Sequence, residues 1–154
     1  MFTPLTDSPA DIIRKLLVDL SLAVEPTFTE GRYTAGAWPA FAHNEPSFPD
    51  QCITVRETDA IDDGPDMHGN LYFHYGCQIR FRAITKNAVM TKARAVQGNL
   101  FSPTDPYDKT VTISGRSYEV HCVIPGPVLD LGMNVANDKR LIVTLNVLVP
   151  IRAL

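Results

Sequence analysis

From Leu71 to Arg82 apolar and polar side chains alternate with little interruption. Leu71, Phe73, Tyr75, Cys77, Ile79 and Phe81 fall on one side, and Tyr72, His74, Gly76, Gln78, Arg80 and Arg82 on the other. A sustained period of two predicts a strand with one buried face and one face wet or paired with a neighbour. The run is longer than an ordinary strand, so Gly76 is expected to mark a bulge or bend. The period then becomes helical. Val89, Ala93, Val96 and Leu100 make the apolar stripe of a helix from about Thr85 to Leu100, with Gly98-Asn99 at its fraying end. An earlier helix is marked by Ser8 as its cap, Pro9 at its first position and Asp11 in its first turn. Its stripe is Ile13, Leu16, Leu17, Leu20 and Val24, and Pro26 closes the pattern.

The remaining strands are shorter or less regular. Cys52 to Thr58 alternates, with Ile53 and Val55 on one face. Val111 and Ile113 lead into a Ser114-Gly115 turn, from which Tyr118, Val120 and Cys122 return; Pro125-Gly126-Pro127 is expected to end that hairpin. Arg140 to Val149 is apolar on both faces, which places it centrally in a sheet or at a subunit contact. The order αββαβββ points to an α+β fold: one mixed, largely antiparallel sheet packed by two helices, in a single domain over residues 1–154. Two stretches interrupt this plan. Residues 26–50 form a Pro- and aromatic-rich arm carrying Phe28, Tyr33, Trp38, Phe41 and Phe48; it either hides a short strand near Arg32 to Trp38 or buries its rings elsewhere. Residues 57–70 hold Glu57, Asp59, Asp62, Asp63 and Asp66 without a lysine or arginine, and Gly64, Pro65 and Gly69 predict a loop there.

Composition narrows the function classes. The 154 residues are 45% hydrophobic and 20% charged, the balance of a globular domain. A net charge of −3 does not suggest a nucleic-acid binder. Cys52, Cys77 and Cys122 are odd in number and widely spaced, which suits a reducing cytosol better than a disulfide framework. No leader-like segment opens the chain, and no apolar run reaches the length of a membrane helix, so no membrane partner is expected.

Catalytic chemistry finds little to work with. None of G-x-S-x-G, a P-loop, H-E-x-x-H or C-x-x-C occurs. His121 and Cys122 are strand neighbours, which point to opposite faces and make a poor catalytic pair; His43, His68 and His74 are isolated in sequence. The acidic stretch fails as a calcium loop, because Ile61 occupies a ligand position and Asn70 stands where a glutamate is needed. The expectation is a non-enzyme without cofactor or metal. Charge segregation is more informative. Arg80, Arg82, Lys86, Lys92 and Arg94 follow the five acids with no acid among them. Complementary blocks of this kind suit a head-to-tail contact between copies, as well as ordinary solvated surface.

The ordered features resemble the tail terminator (tail completion, minor capsid) proteins of long-tailed bacteriophages, over about Pro9 to Val149. The features that carry it are the N-terminal amphipathic helix, Trp38-Pro39, and Pro49-Asp50-x-x-Ile53-x-Val55-x-x-Thr58. After the acidic loop come Gln78-Ile79-Arg80-Phe81-Arg82, the helix containing Lys92-Ala93, the hairpin around Gly115, Pro127, Leu131-Gly132, and a final strand after Asp138-Lys139-Arg140 with Asn146. Asn134 and Gly76 depart from the pattern. The resemblance implies a hexameric ring that caps the head-proximal end of the tail tube, stops its growth and offers a surface for head attachment. The implied partners are further copies of the chain, the tail tube protein and the head–tail connector, with phage DNA passing the lumen unread. The implied location is the virion, after assembly in the host cytoplasm. By the same analogy, Glu57 to Asn70 is a partner-ordered contact. The alternatives are a connector or head completion protein of the same neck, and a non-viral adaptor domain that binds through Phe28 to Phe48.

Overall fold

A computed structural model describes residues 4–35, 37–65, 67, 71–100, 109–121, 123–133 and 140–154. In chain order the elements are α1 (Pro9–Asp19), β1 (Phe28–Thr29), β2 (Arg32–Tyr33), β3 (Ala40–Ala42), β4 (Cys52–Glu57), β5 (Ile61–Pro65) and β6 (Leu71–Ala83). There follow α2 (Lys86–Leu100), β7 (Lys109–Ile113), β8 (Arg116–Val120), β9 (Ile124–Met133) and β10 (Leu141–Ala153). The molecule is α+β, with two helices against a curled, mixed sheet.

The sheet is organised around two 13-residue strands, β6 and β10, paired antiparallel from Ala83↔Leu141 to His74↔Pro150. Each carries on its outer edge one long partner that is broken in the middle. Along β6 these are β4 and then β5; along β10 they are β9 and then β8. β7 extends the β8 side, and β3 lies parallel to β4 on the other. β10 is therefore central, as its two apolar faces suggest. Beyond Pro150 it leaves β6 and continues with β8 alone, so the sheet forks at that end.

Register fixes the two faces. Ile53, Phe81 and Val143 stand side by side, as do Val55, Ile79 and Leu145, and all are fully buried. Ile12, Ile13, Leu16 and Leu17 of α1 and Val89, Ala93 and Val96 of α2 pack into the same core. Both helices thus cover one face. α1 begins where Ser8 caps it: the Ser8 hydroxyl accepts from the Asp11 N–H at 3.1 Å. It ends at Asp19, so Val24 lies outside it and instead bridges Pro39.

Several sequence expectations are revised. The order αββαβββ gains β1, β2, β3, β5 and β9. Residues 57–70 are not simply a loop: Ile61–Pro65 pairs with β6, and the Pro-Gly-Pro at 125–127 lies inside β9. β5 and β9 are edge strands, where proline is tolerated. The arm at 26–50 folds back. Tyr33 meets Phe28 and Phe41 edge-on, Trp38 meets Phe81, and Arg32 stacks over Phe48.

Candidate interaction surfaces

The five basic residues at 80–94 do not form one surface. Strand alternation turns Arg80 and Arg82 toward the helix-free face, whereas Lys86, Lys92 and Arg94 lie on α2, on the other side of the sheet. Arg82 is 5% exposed and serves the fold. Its Nη2 donates to the carbonyls of Pro46 and Pro49 at 2.7 Å each, and its Nε to that of Asp50 at 3.3 Å. Glu45 lies 3.4 Å from Arg82 Nη1 and 3.3 Å from Arg80 Nε. Arg140 pairs with Asp50 at 2.8 Å on the same face. Within this chain the Arg82 guanidinium pins residues 45–50 to the sheet. Arg80 is committed to Glu45 in the same cluster.

The α2 residues remain outward. Lys86 is only loosely paired, 3.9 Å from Asp130, and its side chain is 70% exposed. Arg94 is exposed, and neither it nor Lys92 has a carboxylate partner among the described residues. Lys92 lies over the Trp38 ring, 6.0 Å from its centroid, and partial burial pulls its pKa down. Trp38 adopts φ +41°, a left-handed backbone uncommon for a bulky residue.

The acidic residues ride on the β4–β5–β6 hairpin. Glu57 pairs with Cys77 in register and Ile61 with His74; between them Thr58, Asp59 and Ala60 face only Tyr75 and Gly76, an extra residue that makes a bulge. There the Thr58 N–H donates to Gly76 O at 2.8 Å and the Gly76 N–H to Asp59 O at 3.2 Å. A Cβ on Gly76 would meet Thr58 Oγ1 at 2.2 Å and Asp59 O at 2.5 Å, so the bulge requires glycine. Glu57 and Asp59 have no ion pair among the described residues and are exposed. Asp62 and Asp63 are placed in β5 by their backbone; Asp66 lies outside the described residues.

One cluster escapes sequence reading. His43, isolated in sequence, lies 3.0 Å through Nε2 from Ser8 Oγ and 3.4 Å from Asp11 Oδ2. A serine–histidine–aspartate relay needs serine and carboxylate on opposite ring nitrogens. Here both face Nε2, and the Ser8 hydroxyl is spent on capping α1 and donating to Asp11 at 2.7 Å. This is a helix cap tied to the arm. Burial pushes the Cys52 thiol up to about 11 and that of Cys77 to about 12, so both stay protonated and unreactive at neutral pH. Cys122 lies outside the described residues. Among the described residues, no three His, Cys, Asp or Glu gather as a metal site, and no helix is long and apolar enough to cross a membrane.

A second clamp ties the segment before α1 to the β7–β8 hairpin. Arg116 donates to both Asp7 oxygens at 2.8 Å, and the Tyr118 hydroxyl donates to Asp7 and accepts from its N–H at 3.0 Å. Those bonds hold the Asp7 carboxyl down at about 2. No protein-family model matches the chain, and no curated protein is significantly similar to it.

Proposed function

We propose that the chain is a structural virion protein that assembles head-to-tail into a ring, a hexamer by analogy with the family it resembles, and caps the head-proximal end of a phage tail tube. The observation that carries this reading is the separation of acidic and basic residues along β6. The acidic hairpin stands at its start, whereas Lys86 follows three residues beyond its end. Asp62 pairs with Phe73, ten positions before Ala83, which is about 33 Å of strand. Charges so separated cannot neutralise one another within one copy at ordinary ionic strength. Opposite charges on opposite parts of a subunit steer a heterologous contact, and a heterologous contact that closes on itself makes a ring.

On this reading the family's αββαβββ plan, largely antiparallel, is elaborated by the short strands and by β9. The protein acts without catalysis or cofactor, by covering the growing tube end and presenting its far face to the neck. It is assembled in the host cytoplasm and retained in the virion, and DNA passes through the lumen without being read. Deleting residues 59–66 is a poor test, because it removes β5 and the bulge at Gly76. Neutralising Glu57 and Asp59 to Gln and Asn keeps the backbone pairing. Electron microscopy with tube protein is expected to show fewer capped ends for that variant than for wild type. Equal capping by the two would contradict the role of the acidic hairpin, and capture on portal-bearing heads instead of tubes would favour a neck connector.

A further inference from the structure

One cation on the helix-free face of the sheet has no counterpart within the chain. Arg56 of β4 stands opposite Gln78 of β6, and alternation places it with Thr54, Arg80 and Arg82, away from both helices. It is partly buried and makes no hydrogen bond or ion pair among the described residues. Its Nε is sealed from solvent without an acceptor. A charged donor left unmade in that position is costly, and such a group calls for a water or an ion as its partner. Arg80 pairs with Thr54, two residues before Arg56, so the two arginines are diagonal neighbours. Their backbones are then about 7–8 Å apart, within reach of long side chains.

Acid is scarce around them. Glu45 serves both Arg80 and Arg82. It lies 3.3 Å from Arg80 Nε, yet neither that nitrogen nor Glu45 Oε1 completes a hydrogen bond. Asp50 is taken by Arg140 at 2.8 Å. Arg56, Arg80 and Arg82 therefore share one carboxylate among the described residues, which leaves two positive charges uncompensated. We propose that Arg56 and Arg80 hold a phosphate dianion on this face. Guanidinium forks match the oxygens of phosphate and do not lose their charge. A dianion cancels both uncompensated charges, whereas a carboxylate or one phosphodiester of a nucleic-acid strand cancels only half. A net charge of −3 also disfavours a polyanion as the ligand. The Arg80 side chain is 23% exposed, so a small ion can reach the pair. The site lies across the sheet from Lys86, Lys92 and Arg94 and does not depend on the ring.

Isothermal titration of the full chain with sodium phosphate tests the site, at about pH 8, above the second ionisation of phosphate. The reference is sodium chloride at equal ionic strength. Wild type is expected to show saturable binding. Arg56→Gln is expected to weaken it by about tenfold or more, the loss of a charge-assisted hydrogen bond. The thermal midpoint of that variant in chloride is expected to be no lower than that of wild type, because Arg56 bonds to nothing among the described residues. Arg94→Gln, on the other side of the sheet, is expected to bind phosphate as wild type does. No saturable binding by wild type would mean that water satisfies Arg56 and would overturn the site. Equal affinity in Arg56→Gln, or equal weakening by Arg94→Gln, would overturn it too, as would a short DNA duplex that binds through Arg56 where phosphate does not.

Discussion

An arginine that donates to three main-chain carbonyls from inside a protein cannot be exchanged for an apolar side chain of similar reach without orphaning those oxygens. Arg82 is in that position, with Glu45 as its counter-charge. Arg82→Met is expected to lower stability by about 3 kcal/mol, since it leaves buried acceptors and a carboxylate unpaired. Urea denaturation measures this, and a loss under about 1 kcal/mol would show that residues 45–50 are held by something else. Asp7 gives a prediction in pH. Its folded pKa of about 2 lies below the ordinary 3.8, so its stabilising effect is complete above pH 4 and is lost as pH falls toward 2. Asp7→Asn is therefore expected to melt lower than wild type at pH 7, with the gap closing between pH 4 and pH 2. A gap that stayed constant over that range would rule out the Arg116 and Tyr118 bonds as its cause.

Elements were legible where the local pattern and the packing agree. The alternation of β6, the caps and stripe of α1, and the Ser114-Gly115 turn all belong to that class; Ser114 and Gly115 take φ of 48° and 79°, the turn that matches strand twist. The expected bulge at Gly76 is present, and Gly76→Ala tests it. The added methyl overlaps backbone as well as the Thr58 hydroxyl, so relaxation is restricted. A loss of about 1–3 kcal/mol is expected, with faster amide exchange at Thr58 and Gly76, whose N–H groups bond across the bulge. A neutral substitution would mean that the hairpin shifts register freely. β5 and β9 were not legible, because Gly64-Pro65 and Pro125-Gly126-Pro127 read locally as breakers. Their pairing comes from partners supplied by distant parts of the chain. β10 runs past Val149 for the same reason: the Pro150 carbonyl accepts from the His121 N–H as the strand passes from β6 to β8.

At the scale of the whole molecule, sequence located the charges but not their surroundings. Alternation alone separates Arg80 and Arg82 from α2, yet nothing local says that Glu45 and the Pro46–Asp50 turn fold over them from more than thirty residues away. Lys86, Lys92 and Arg94 lie on α2, where Trp38 lines a groove, and the acids lie on a hairpin with an exposed methionine at its turn. His43 at the cap of α1 is a further long-range contact with no sequence signature. On the proposed ring reading, the acidic hairpin and the basic helix are the two unlike contacts that a closed ring requires. Electron microscopy of the purified chain mixed with polymerising tail tube protein tests that claim most directly. The ring account predicts a ring at one end of each tube and tubes that stop lengthening once it binds. Tubes that grow unchecked with no ring at either end, while the chain stays monomeric, would contradict it.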